Sequence, residues 1–140
     1  MIKEEFKKAR ESFERAIELK YDYIKPQLQL ALLEEKEGDI TKALTLLEEV
    51  NLRYSLNVEG MFQLGRLLYN TGQVDEAIKQ FRQVLELIPS YSNALFALGA
   101  ALESQGRIKE AIEEFEKVLQ LNPDDLALSK RLQELQDKVE

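Results

Sequence analysis

"GQVDEAIKQF" (Gly72–Phe81) and "GRIKEAIEEF" (Gly106–Phe115) are nearly one decapeptide, written twice at a spacing of 34 residues. A third version, "GDITKALTLL", starts at Gly38, a further 34 residues upstream. At the same spacing again, "EEFKKARESF" (Glu4–Phe13) keeps the apolar letters and lacks the glycine. A fixed period of this length marks an array of stacked supersecondary units, each of which buries its apolar face on a neighbour.

Working outward from Gly72, apolar residues precede it at Met61, Leu64 and Leu68 and follow it at Val74, Ala77, Ile78, Phe81, Val84, Leu85 and Leu87. Steps of three and four in two runs predict a helix, a tight turn and a second helix. Gly38, Gly72 and Gly106 each close an apolar helical run, where a residue of positive φ ends a helix most easily. Pro89 and Pro123 follow the second helices and stop them from continuing. Asp124 is the expected N-cap of the last helix, and Pro26 sits near the start of another, where its missing N–H is harmless. Eight helices are expected, at 3–20, 24–37, 40–53, 58–71, 74–87, 92–105, 108–121 and 125–139.

Met61, Leu64, Gly65, Leu68, Ala77, Phe81 and Pro89 resemble the tetratricopeptide repeat (TPR) consensus W-x2-L-G-x2-Y, A-x3-F and P, as do Leu95, Leu98, Gly99, Leu102, Ala111, Phe115 and Pro123. An earlier copy is worn: Leu30, Ala31, Ala43 and Leu47 fit, while Gln27 and Glu34 stand at the aromatic positions and Ser55 replaces the proline. The resemblance implies an all-α, right-handed α-solenoid of stacked antiparallel helix pairs. A single domain over 1–140 is expected, opening with the second helix of an incomplete repeat (1–23). Repeats at 24–57, 58–91 and 92–125 follow, and a capping helix at 126–140 carries Leu128, Leu132, Leu135 and Val139 on one face. Because the array opens in mid-repeat, the chain is expected to be the C-terminal TPR segment of a longer bacterial protein.

Composition narrows the function. A balance of 19 basic to 26 acidic residues gives a net charge of −7 and a pI near 4.8, which disfavours nucleic acid and anionic membrane surfaces as partners. The absence of cysteine and histidine removes disulfides, thiolate nucleophiles, the commonest general base and the commonest transition-metal ligands. No cofactor or metal site is expected. No apolar run approaches membrane-spanning length, so a soluble segment is expected, with cytoplasmic and periplasmic placement both open. The carboxylates Glu34, Glu35, Glu37, Glu113, Glu114 and Glu116 are interleaved with lysines and read as solvated helix surface, so no enzymatic role is expected.

Small residues, Gly65 and Gly99 in first helices and Ala9, Ala43, Ala77 and Ala111 in second helices, mark places where helix axes approach closely. Phe13, Phe81 and Phe115 are expected as wedges in the core. A second stripe on the first helices, displaced by about 100° from the core stripe, holds Phe62, Arg66 and Tyr69, then Phe96, Ala100 and Glu103, and upstream Leu28, Leu32 and Glu35. The TPR resemblance implies that this stripe lines a concave groove for an extended peptide or a partner's helix. Its floor would be Leu28, Leu32, Phe62, Tyr69, Phe96 and Ala100, with Arg66 as its cation and Gln63, Asn70 and Asn93 as hydrogen-bonding groups. TPR proteins that grip a partner's C-terminal carboxylate place basic and amide side chains where this chain has Leu28, Leu32, Phe62, Phe96 and Ala100. An apolar peptide or amphipathic helix is therefore the expected ligand of a non-catalytic protein-interaction scaffold. The alternative is an assembly element of a larger protein, whose N-terminal helix docks by way of Phe6 and Phe13 onto another copy or onto the rest of the longer chain.

Overall fold

The computed structural model describes residues 2–18, 24–54 and 56–139, and every regular element among them is an α-helix. In chain order these are α1 (Ile2–Glu18), α2 (Ile24–Lys36), α3 (Ile40–Arg53), α4 (Val58–Asn70), α5 (Val74–Leu87), α6 (Ser92–Ser104), α7 (Ile108–Leu121) and α8 (Leu126–Val139). The expected helix bounds agree to within two residues. The expected end of the first helix at residue 20, and Ser55, lie outside the described residues.

The three glycines do what their spacing predicts. Gly38, Gly72 and Gly106 have φ of 92°, 86° and 76°. Each ends a Schellman motif: the glycine N–H donates three residues back (Gly72 to the Tyr69 carbonyl, 3.1 Å), and the next N–H donates five residues back (Gln73 to Leu68, 2.9 Å). The same pair of bonds recurs at Gly38–Asp39 and Gly106–Arg107. The second helices end alike: Ile88 and Asn122 adopt φ of −133° and −139°, as residues before proline do. Tyr54 takes φ −128° with no proline after it, so the proline reinforces this ending and does not create it.

Capping departs from expectation at one end. Asp125, not Asp124, caps α8, its Oδ1 accepting from the Leu128 N–H at 3.0 Å. The helix begins at Leu126, so the residue one place before it is the one whose carboxylate reaches the orphan donors of the first turn. Asp39 caps α3 in the same way through the Lys42 N–H at 3.1 Å, and Asn57 caps α4 through the Gly60 N–H at 2.6 Å.

The chain forms two compact bodies, Met1–Leu64 and Gly65–Glu140. In the first, α2 packs against both α1 and α3 around Leu30, Ala31, Ala43, Leu47 and Val50. Phe13 is only half-buried there, unlike Phe81 and Phe115 at the equivalent places. In the second, α6 packs against α5 and α7, α7 also packs against α8, and Phe81, Leu102, Phe115 and Leu135 are buried. A Cβ on Gly65 would lie 2.6 Å from Phe81 Cε1, and one on Gly99 would lie 2.7 Å from Phe115 Cε1. These glycines are therefore required by the close approach of each ring to the backbone of the preceding helix.

Candidate peptide-binding surface

In the first body, the stripe residues of α2 meet the opening of α4. Leu28 is buried and Leu32 half-buried, and together with Ile24, Asn57, Glu59 and Gln63 they border a cleft of about 400 Å³. Lys25 and Gln29 complete its rim. Leu28 therefore contributes mainly to packing, and Leu32 offers the apolar surface. The Gln63 amide donates to Glu59 Oε1 at 2.7 Å, one helical turn back, which fixes it along α4. Phe62 is half-buried.

In the second body, Phe96 on α6 is 51% exposed, unusual for a phenylalanine in a packed helical array. Its ring is not loose: it leans on the buried Phe115 of α7, centroids 5.4 Å apart and planes at 55°. Gly99, one turn along from Phe96, gives Phe115 the room to come that close to α6. An absent side chain on α6 thus seats a ring of α7, and that ring in turn supports the exposed one. Such a tilted aromatic pair is worth about 0.5–1.5 kcal/mol beyond the area it buries, and it limits the rotamers Phe96 samples. Arg66, Tyr69 and Ala100 are half-buried; Asn70 and Asn93 are exposed at the two ends of the same set.

One cluster was not anticipated. Glu34, expected on the solvated surface, is 2% exposed. Arg10 of α1 donates from Nε to Glu34 Oε1 at 2.8 Å, Lys42 Nζ of α3 approaches the same oxygen at 3.1 Å, and Arg10 also pairs with Glu37. Burial alone would push the Glu34 carboxyl up; hydrogen bonds and charge from Arg10 and Lys42 overcome it and hold the group below the usual carboxylate range. The hydrogen bond to Glu34 raises the Arg10 guanidinium in turn. The sequence did carry a signal. At the 34-residue spacing Glu34 corresponds to Leu68 and Leu102, and Arg10 to Leu44, Ile78 and Ile112, so a carboxylate and a guanidinium replace two aliphatic groups at matched positions. No group of three or more His, Cys, Asp or Glu able to hold a metal occurs among the described residues. None of the helices among them is long and apolar enough to cross a membrane.

Residues 28–92 and 62–125 each match the family model of the tetratricopeptide repeat. The chain belongs to the TPR family. Its fold is an all-α helical-repeat solenoid of the TPR kind, and solved structures agree. MamA superposes with a TM-score of 0.85 at 19% identity over 98% of this chain and 80% of its own. YrrB, described as a TPR protein with an unusual peptide-binding site, gives 0.77 at 26% identity over 93% of this chain and 67% of its own. The first TPR of Spaghetti (RPAP3), bound to the HSP90 peptide SRMEEVD, gives 0.74 at 18% identity over 81% of this chain and 90% of its own. At under 25% identity, the MamA and RPAP3 similarities are similarities of fold. No curated protein matches the TPR chain by sequence.

Proposed function

We propose that this chain is a protein-interaction scaffold whose first-helix stripe takes an apolar peptide or an amphipathic helix. Phe96 carries the reading: a large ring half open to solvent, yet held in place from behind by Phe115, is a preformed anchor for an apolar partner. Leu32 and the cleft it borders offer a comparable apolar surface in the first body. The peptide-binding site for which YrrB is described supports the use of such a fold to hold a peptide. Phe62 and Gln63 in the first body, and Arg66, Tyr69, Asn70, Asn93 and Ala100 in the second, add to the proposed contacts of each, while Leu28 supports Leu32 from beneath. Because Phe96 is already about half-buried, covering the rest of its ring contributes about 0.8–1.5 kcal/mol before entropic costs, so a stable complex needs further apolar and polar contacts.

The test is selection from a displayed peptide library, followed by titration of the selected peptides. Peptides with spaced apolar anchors are expected, weakened about tenfold or more by Phe96→Ala and by Phe62→Ala in proteins that circular dichroism shows to be equally helical. The acidic peptide SRMEEVD is the contrasting ligand and is expected not to compete. Selected peptides indifferent to both substitutions would defeat the proposal. The half-burial of Phe6 and Phe13 favours one second reading, assembly through α1. Dimerisation that rises with concentration and is abolished by Phe13→Lys would establish it.

A further inference from the structure

The Arg10, Glu34, Glu37 and Lys42 cluster plays no part in the proposed binding surface, and it lies where α1 meets the rest of its body. No described side chain of α1 is fully buried: Phe6, Ala9, Arg10, Phe13 and Glu14 are half-buried and the others exposed. Helix α5, by contrast, fully buries Ala77, Ile78, Phe81 and Val84. Among the described side chains, α1 thus draws less on apolar burial than α5 does and more on charge. Of those charges, Glu34 is 3% exposed at its side chain, Arg10 24% and Lys42 46%, so the pair from α1 is largely shielded while the one from α3 is wetter.

We propose that α1 is a releasable latch: under acid or high salt it leaves the face of α2 as one unit while α2 and α3 stay packed. Local opening is favoured where apolar contacts are few, and here Arg10 ties α1 to two carboxylates, the buried Glu34 and the more exposed Glu37. The groups facing the Glu34 carboxylate are Arg10 of α1 and Lys42 of α3, and Arg10 is itself faced by Glu14 on α1 and by Glu37 and Asp39 at the turn after α2. Protonating Glu34 weakens the more buried of the two Arg10 pairs and leaves Glu37, whereas Lys42 can turn to water. Acid therefore loosens α1 more than α3. The folded-state carboxyl lies below its ordinary value, so its contribution is complete above about pH 5 and is lost as pH falls through and below about 4.3.

Hydrogen exchange on the intact chain, corrected for intrinsic rates and read separately on peptides from α1 and α7, tests this. Raising salt from about 0.05 M to about 1 M at neutral pH should speed exchange in α1 about three- to tenfold and leave α7 within about twofold. On acidification, α1 should lose protection at a higher pH than α7. Arg10→Ile/Glu34→Leu, which restores the aliphatic pair of the other repeats, should abolish the salt response of α1. Equal responses of α1 and α7 in the wild-type protein, or a salt response of α1 that survives the double substitution, would overturn the proposal. Should the double variant fold poorly, the wild-type salt comparison decides alone.

Discussion

Gly65 and Gly106 are both indispensable, for opposite reasons. A methyl on Gly65 meets Phe81 at 2.6 Å, while one on Gly106 meets nothing within 4 Å but sits on a backbone of φ 76°. Gly65→Ala is expected to cost about 1–3 kcal/mol by urea unfolding, and trimming Phe81 to Leu in the same protein should recover part of it. Gly106→Ala should cost about 1–2 kcal/mol that no neighbouring substitution recovers, because the strain is in the residue's own backbone. The sequence displays both roles, since a turn glycine and a crossing glycine fall at different, regular places in the repeat. Glu34 was less legible: within "LLEEKEG" it looks like one more surface acid, and only its place at a family aromatic position hints at burial. Substituting Glu34→Leu alone should destabilise by about 2–4 kcal/mol, since it leaves Arg10 shielded and without that acceptor, whereas Arg10→Ile/Glu34→Leu should be neutral or stabilising by up to about 4 kcal/mol. The double variant should also lose part of the acid sensitivity expected of wild-type unfolding as pH falls below about 4.3, because the group that stabilises only when ionised has gone.

Individual helices were easily read, because their stops are written in local chemistry. Glycines of positive φ close the first helices, and a pre-proline conformation closes α5 and α7. Starts were harder to place, as Asp124 and Asp125 are adjacent and chemically equal, and one residue decides which carboxylate reaches the free N–H groups. Asp125→Ala should lower stability by about 1 kcal/mol and loosen the start of α8 in hydrogen exchange, while Asp124→Ala should be nearly silent. The other side of α8 is tied by Arg131 to Glu103 of α6 and by Gln136 to Glu116 of α7 at 3.4 Å, so fraying at the cap should stay local.

At the scale of the whole chain, periodicity sets the fold and departures from periodicity set what is particular to this protein. The candidate surface was legible as a stripe, because helical spacing places Phe62, Tyr69 and Phe96 off the core line. Which of its members are open was not, because exposure depends on what the next helix covers: Leu28 turned inward, and Phe96 stayed out on the back of Phe115. Truncating Phe115 to Leu should therefore weaken peptide binding as well as stability, although the side chain itself is buried, and titration of a selected peptide against Phe115→Leu checks it.

The salt-bridged junction between α1 and α2 has one more consequence. An array of near-identical parts has an indexing problem, since a helix made for one berth fits its neighbours almost as well. An arginine cannot be seated against Leu68 or Leu102 without stranding its charge, and Glu34 cannot accept an isoleucine without stranding its own. That single mismatch gives the first helix an address, so that even during folding, when all the berths are open, only one of them is chemically correct.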